Sequence, residues 1–182
     1  MPELRELKEI LTEGKLGWIT YIVLGILMAL LVNHALSVFL STEIPLVTVK
    51  RDSMRPTMNP GDIVFIRGRD SYEPGDIVVF SGWIDTPIIH RIVARVDLSG
   101  EEPIIDRWQD FDELDDETLI ERGRETDPHE TVYYVTKGDN NPKCDQCSTG
   151  EPLVTEDEIY GRSILRIPYL GWVKLTFTEL IR

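Results

Sequence analysis

Cysteine and histidine are both scarce in this chain of 182 residues, with two of the first and three of the second. Two cysteines cannot staple a disulfide-dense scaffold or build a four-cysteine zinc site. Positive charge is thin as well: 19 Lys and Arg stand against 32 Asp and Glu, a formal net of −13. Nucleic-acid binding draws on counterion release by basic side chains, so the balance argues against a nucleic-acid partner. Charge of either sign is missing altogether between Lys15 and Glu43. Apolar residues still make up 42% of the chain and charged residues 28%, which excludes both a disordered polymer and a protein built mostly of membrane spans.

The charge-free stretch carries an apolar run over residues 16–40. As a helix it would reach about 37 Å, enough to cross a hydrocarbon core of about 30 Å. Its polar interruptions, Asn33 and His34, lie toward one end, and Trp18 and Tyr21 lie near the other, where amphipathic rings favour the interface. A polar leader over residues 1–15 and the length of the run predict a retained anchor rather than a cleaved leader peptide. The leader carries Arg5, Lys8 and Lys15, and the last two stand closer to the run than Lys50, Arg51 and Arg55 on the far flank do. That asymmetry predicts an N-terminus in the cytoplasm and residues 41–182 outside, on a single-pass protein partnered by the lipid bilayer.

The acidity is local. Residues 97–130 hold 14 Asp and Glu against three Arg, a net of −11 that leaves only −2 for the rest of the chain. Such a charge block predicts a solvated insertion, with a short helix over residues 114–120. Elsewhere, residues 46–50, 62–67, 76–81, 88–96, 131–137 and 159–166 are short runs rich in Val, Ile, Tyr and Phe, separated by Pro, Gly, Asn and Asp. They predict a mainly β domain on its membrane helix. Two runs open with the same letters, Pro60-Gly-Asp-Ile-Val64 and Pro74-Gly-Asp-Ile-Val78, a turn followed at once by a buried strand.

Three clusters could do chemistry. In Asp52-Ser53-Met-Arg-Pro-Thr-Met58, Pro56 fixes its own φ and keeps Arg55 out of the helical region, so the backbone holds the Ser53 hydroxyl at a rim. In Ile88-Ile-His-Arg-Ile-Val-Ala-Arg-Val96, period two puts His90 on one face with Ile88, Ile92, Ala94 and Val96, and Arg91 on the other. An imidazole there is either a satisfied core group or a base oriented by a carboxylate. The third cluster, Lys137-Gly-Asp139-Asn-Asn-Pro-Lys-Cys144-Asp145-Gln-Cys147, offers two carboxylates six residues apart, either of which could orient a histidine. Its Cys144 and Cys147 are open to three readings: a small disulfide ring that stiffens the Asp145 turn, two free thiols, or a metal site still short of two ligands.

Taken in order, the N-terminal run, Ser53–Met58, His90-Arg91 and Lys137-Gly-Asp-Asn-Asn141 resemble the signal peptidase I family, in the form found in archaea and the endoplasmic reticulum. The tail from Gly161 through Ile167-Pro-Tyr-Leu-Gly-Trp172 is similar to that family's closing segment. The resemblance covers most of the chain except residues 97–130. Bacterial relatives carry Lys where His90 stands, so the match points to the archaeal and reticular branch. It implies a fold with a single N-terminal transmembrane helix and a β catalytic domain, and an activity that removes signal peptides from exported preproteins after small residues. It implies no cofactor or metal, and partners that are signal peptides, with translocation machinery or accessory subunits compatible. Carried over by position, Ser53 would be the nucleophile, His90 the general base, Asp145 the acidic triad member and Asp139 the accessory acid. One departure stands out: Arg51 occupies a place, two before the nucleophile, where the family often has a small serine. The alternative is a membrane-anchored binding module with an inactive protease-like domain. Residues 163–182 are expected to form a membrane-proximal segment, with Tyr169 and Trp172 at the lipid surface.

Overall fold

The computed structural model describes residues 17–82, 84 and 86–171. It divides into two units, one ending at Phe39 and the other beginning at Leu40. The described residues of the first belong to helix α1, Gly17–Leu40, which ends one residue into the second; its apolar side chains are exposed nearly throughout, including Trp18 and Tyr21. Its 24 residues are long and apolar enough to cross a membrane.

The second unit is an eight-stranded antiparallel sheet. In chain order its strands are β1 (Leu46–Thr48), β2 (Ile63–Arg67), β3 (Ile77–Phe80), β4 (Ile88–Asp97), β5 (Ile104–Arg107), β6 (Val132–Lys137), β7 (Val154–Thr155) and β8 (Ile159–Ile167). In space they run β1-β2-β8-β3-β4-β6-β7, with β5 paired to the far half of β4. The last strand is therefore central. It joins the part that carries Ser53 to the part that carries His90.

The twin Pro-Gly-Asp-Ile-Val runs are used alike. Asp62 accepts a hydrogen bond from the Asn59 N–H at 2.9 Å and pairs with Arg166 at 3.3 Å. Asp76 accepts from the Glu73 N–H at 3.3 Å and pairs with Arg162 at 2.9 Å. Each aspartate closes the turn before its strand and ties that strand to an arginine of β8.

Three apolar clusters fill the sheet's faces. One of them explains the Ser-Met-x-Pro-x-Met pattern. Met54 and Met58 are buried with Val49, Val64, Ile66 and Val79, so the two methionines anchor a short 3₁₀ turn, Asp52–Met54, whose serine stays at the rim. Removing either buried methionine side chain would cost about 2–5 kcal/mol.

Two expectations need correction. The alternation along β4 is broken by a bulge between Ile92 and Ala94, so Ile92, Val93 and Ala94 are buried in succession and the period-two face ends just past His90. Residues 97–130 are not simply a solvated insertion. Within them lie β5 and an eleven-residue helix, α2 (Asp116–Thr126), longer than the expected short helix and capped by the Asp115 carboxylate on the Thr118 N–H. Leu119 is fully buried, and Leu98, Ile105, Trp108, Phe111 and Leu114 pack on the same cluster. Many of the acids, Asp115, Asp116, Glu117, Glu121 and Glu125 among them, lie on the exposed side of a packed element. In the tail, Tyr169 and Leu170 are exposed, whereas Trp172 and the residues after it lie outside the described residues.

Candidate active site

Three separate stretches meet at Ser53. The 3₁₀ turn presents its hydroxyl, and Arg55 beyond it is extended (φ −65°, ψ 147°), as the following proline demands. Strand β4 presents His90, which is 7% exposed. Its Nε2 lies 3.0 Å from the Ser53 Oγ and its Nδ1 lies 2.6 Å from Oδ2 of Asp145. Asp145 is 5% exposed and opens a short helix, α3 (Asp145–Thr149). An ionised carboxylate only accepts, so Nδ1 carries the ring proton and Nε2 offers its lone pair to the serine. The Thr136 hydroxyl also donates to Asp145 Oδ2, at 2.7 Å, which fixes the carboxylate from a second side.

The loop between β6 and α3 is docked on the serine turn by backbone contacts. The Asn140 N–H donates to the Ser53 carbonyl at 2.8 Å. A Cβ on Gly138 would fall 2.6 Å from that same oxygen, so only glycine allows the approach. This docking separates the two candidate acids. Asp145 reaches the imidazole, whereas Asp139 faces Arg91, with Oδ1 2.8 Å from Nε and Oδ2 2.7 Å from Nη2, a bidentate pair. Asp139 also accepts a short hydrogen bond from the Thr57 hydroxyl, which links it back to the serine turn. Burial would push the Asp139 carboxyl up, but the hydrogen bonds from Arg91 and Thr57 and the arginine's charge prevail, and it sits below its ordinary value.

The Ser53 N–H is in the first turn of its 3₁₀ helix, where N–H groups lack partners within the helix, and it makes no hydrogen bond among the described residues. It is free to donate to an oxyanion. Arg51, two positions before, caps this turn without a side-chain hydrogen bond.

Several contributors carry no sequence signal of their own. Trp108 lies under the Arg91 guanidinium at 4.6 Å, and the Gly75 carbonyl accepts from Arg91 at 2.8 Å. Glu113 grips the acid loop at both ends: one carboxylate oxygen pairs with Lys137, and the other accepts from the Cys144 N–H at 2.7 Å. Both Trp108 and Glu113 come from the acidic stretch. The one signal that could have pointed to packing there is the pair of aromatics, Trp108 and Phe111, in a stretch otherwise dominated by acids. Cys144 and Cys147 are joined in a disulfide that encloses Asp145 and Gln146. With Glu113 they form a cluster of ligand type within 4.8 Å, but in this bonded state the sulfurs are not thiolates.

Comparison with known proteins follows the same line. A family described as Peptidase S24-like matches residues 33–100, the stretch that carries Ser53 and His90. The signal peptidase complex catalytic subunit sec11 of Aspergillus oryzae is 30% identical over 157 residues, covering 83% of this chain and 74% of the relative. SEC11 of Paracoccidioides brasiliensis is 29% identical over 83% and 75%, and SEC11C of Canis lupus familiaris 27% over 83% and 66%.

Proposed function

The chain belongs to the family of signal peptidase catalytic subunits, and we propose that it is a membrane-anchored serine endopeptidase that removes signal peptides from exported preproteins, cutting after small residues. It is a protease by family. The finer reading rests on one observation, the line from Ser53 Oγ to His90 Nε2 at 3.0 Å and from His90 Nδ1 to Asp145 at 2.6 Å.

In this reading the Ser53 oxygen attacks the scissile carbonyl carbon while His90 Nε2 takes the hydroxyl proton. The negative charge that develops on the carbonyl oxygen is met by the Ser53 N–H. Collapse breaks the C–N bond, and His90 returns its proton to the departing amine, the new N-terminus of the mature protein. Water, deprotonated by the same imidazole, then hydrolyses the ester and frees the signal peptide. Asp145 holds the ring in the tautomer that each step needs. Asp139 acts one shell further out, keeping Arg91 and Thr57 in place beside the serine turn.

Helix α1 would be the anchor, with its N-terminal side cytoplasmic and the sheet domain on the outer face. A substrate held by its own apolar helix would then meet the site just beyond the bilayer. Accessory subunits are compatible with this reading, since the relatives are named as members of a complex.

The test is incubation of the detergent-solubilised full chain with a model preprotein, followed by sequencing of the new N-terminus. Cleavage after a small residue is expected, with a loss of about 10⁴-fold or more for Ser53→Ala and for His90→Ala. An uncut preprotein, or near-normal turnover in either variant, would overturn the assignment. A serine-directed covalent probe that labels the protein and spares Ser53→Ala separates an enzyme from an inactive binding module.

A further inference from the structure

A polar cleft of about 740 Å³ lies in the sheet unit, and none of the proposed catalytic residues lines it. Its walls include Ser41, Arg67, Arg69, Asp70 and Glu73. Two observations say what it is for.

The first is its level. The Gly68 N–H donates to the Leu40 carbonyl at 2.9 Å, and a Cβ on Gly68 would fall 1.9 Å from the Ser41 carbonyl oxygen. Leu40 is the last residue of α1, and Ser41 is the next. Arg67 and Arg69 thus flank a glycine pressed against the first backbone groups to leave the apolar run. Consecutive Cα atoms are about 3.8 Å apart, so this segment meets the lipid headgroup layer wherever the run crosses a bilayer.

The second is its charge. Arg67 and Arg69 are exposed and make no ion pair among the described residues, whereas Arg91, Arg162 and Arg166 each hold a carboxylate. Arg67 also stands directly opposite Arg162 in the β2–β8 register. Like charges facing each other across strands repel, and Asp76 answers only Arg162, which leaves Arg67 in want of an anion. The cleft is not simply cationic, because Asp70 and Glu73 share its wall. Two guanidiniums and two carboxylates in one cleft suit a ligand that carries both signs.

We propose that this cleft binds the headgroup of a phospholipid bearing a phosphate and an ammonium, with Arg67 and Arg69 on the phosphate and Asp70 and Glu73 on the ammonium. Guanidinium donors match phosphate oxygens in geometry, and at the bilayer surface basic side chains gain from lipid phosphate. The site would hold the sheet unit at a fixed height on the membrane, whatever the reaction above it.

Native mass spectrometry of the full chain in uncharged detergent tests this. The probes are phosphatidylethanolamine, phosphatidylglycerol and an uncharged glycolipid with the same acyl chains. The ethanolamine lipid should be retained at about tenfold lower concentration than the glycolipid, and better than phosphatidylglycerol. Arg67→Gln with Arg69→Gln should abolish the preference for phosphate. Asp70→Asn with Glu73→Gln should erase only the preference for ethanolamine over glycerol. Equal retention of all three lipids by the unaltered protein overturns the proposal, and that comparison needs no variant to fold. Retention unchanged in the arginine variant also overturns it. Displacement of the lipid by inorganic phosphate or phosphoethanolamine in solution would assign the cleft to a soluble ligand instead. Unaltered preprotein cleavage by the variants in the same detergent shows that they are folded.

Discussion

Asp139 and Asp145 stand at the two ends of one loop, and their surroundings could hardly differ more. Asp145 is nearly sealed, opens a short helix, and gives its Oδ2 to a histidine and a threonine. Asp139 sits beside the exposed Thr57 and spends both oxygens on a guanidinium. One acid faces a group that must change its protonation during the proposed reaction, and the other faces a charge that never changes. The difference teaches that residue type alone does not assign a role. What assigns it is whether the partner can take up and release a proton.

Substitution at each should separate them. Asp145→Asn would keep the side chain's shape but present an amide to Nδ1, which permits the wrong tautomer; a fall of about 10³–10⁴-fold in kcat is expected with KM little changed. Asp139→Asn should lower kcat by only about 10–100-fold, since it loosens Arg91 and Thr57 without touching the imidazole. If the two losses were equal, the division of labour would collapse. Stability should distinguish them too. The folded Asp139 value lies below the unfolded 3.8, so its ionised pairing stabilises fully above that value and is lost as pH falls through the lower folded one. Thermal melting should therefore show Asp139→Asn down by several degrees, on the order of 5 °C, near pH 7 and by progressively less toward pH 3. A constant deficit across that range would mean that the charge is irrelevant.

A smaller effect should come from Glu113, a positioning residue that grips Lys137 and the Cys144 N–H at the two ends of the loop between β6 and α3. Glu113→Ala is expected to lower kcat about tenfold with KM unchanged, and Glu113→Gln, which can still accept from Cys144, should recover most of it. Matched losses in both variants, tracking melting temperature alone, would reduce Glu113 to a purely structural role.

Much of this was legible in the chain. The apolar run and six of the strands were marked by composition, alternation and turn residues, and Ser53, His90 and the pair of carboxylates Asp139 and Asp145 by their motifs. The choice between the two acids was not, because spacing along a loop says nothing about which way it docks. That choice depends on the Asn140 bond to Ser53 and on the bare Cα of Gly138, contacts between residues more than 80 positions apart. The packing of residues 97–130 was hidden for a different reason. Helix α2 buries little beyond Leu119 and Gly123, and β5 offers only alternate half-buried positions, so 14 acids drown a narrow apolar stripe. The bulge in β4 left no mark at all, since Val93 is as apolar as its neighbours.

The central place of β8 has a consequence for the enzyme's own birth. A nascent chain carries Ser53, His90 and both acids well before the ribosome has made residues 159–167, yet among the described residues that strand alone is hydrogen-bonded to both β2 and β3. Hydrolytic competence then waits on a strand made late, and a serine probe applied during timed synthesis should find the hydroxyl unreactive until residues 159–167 have emerged.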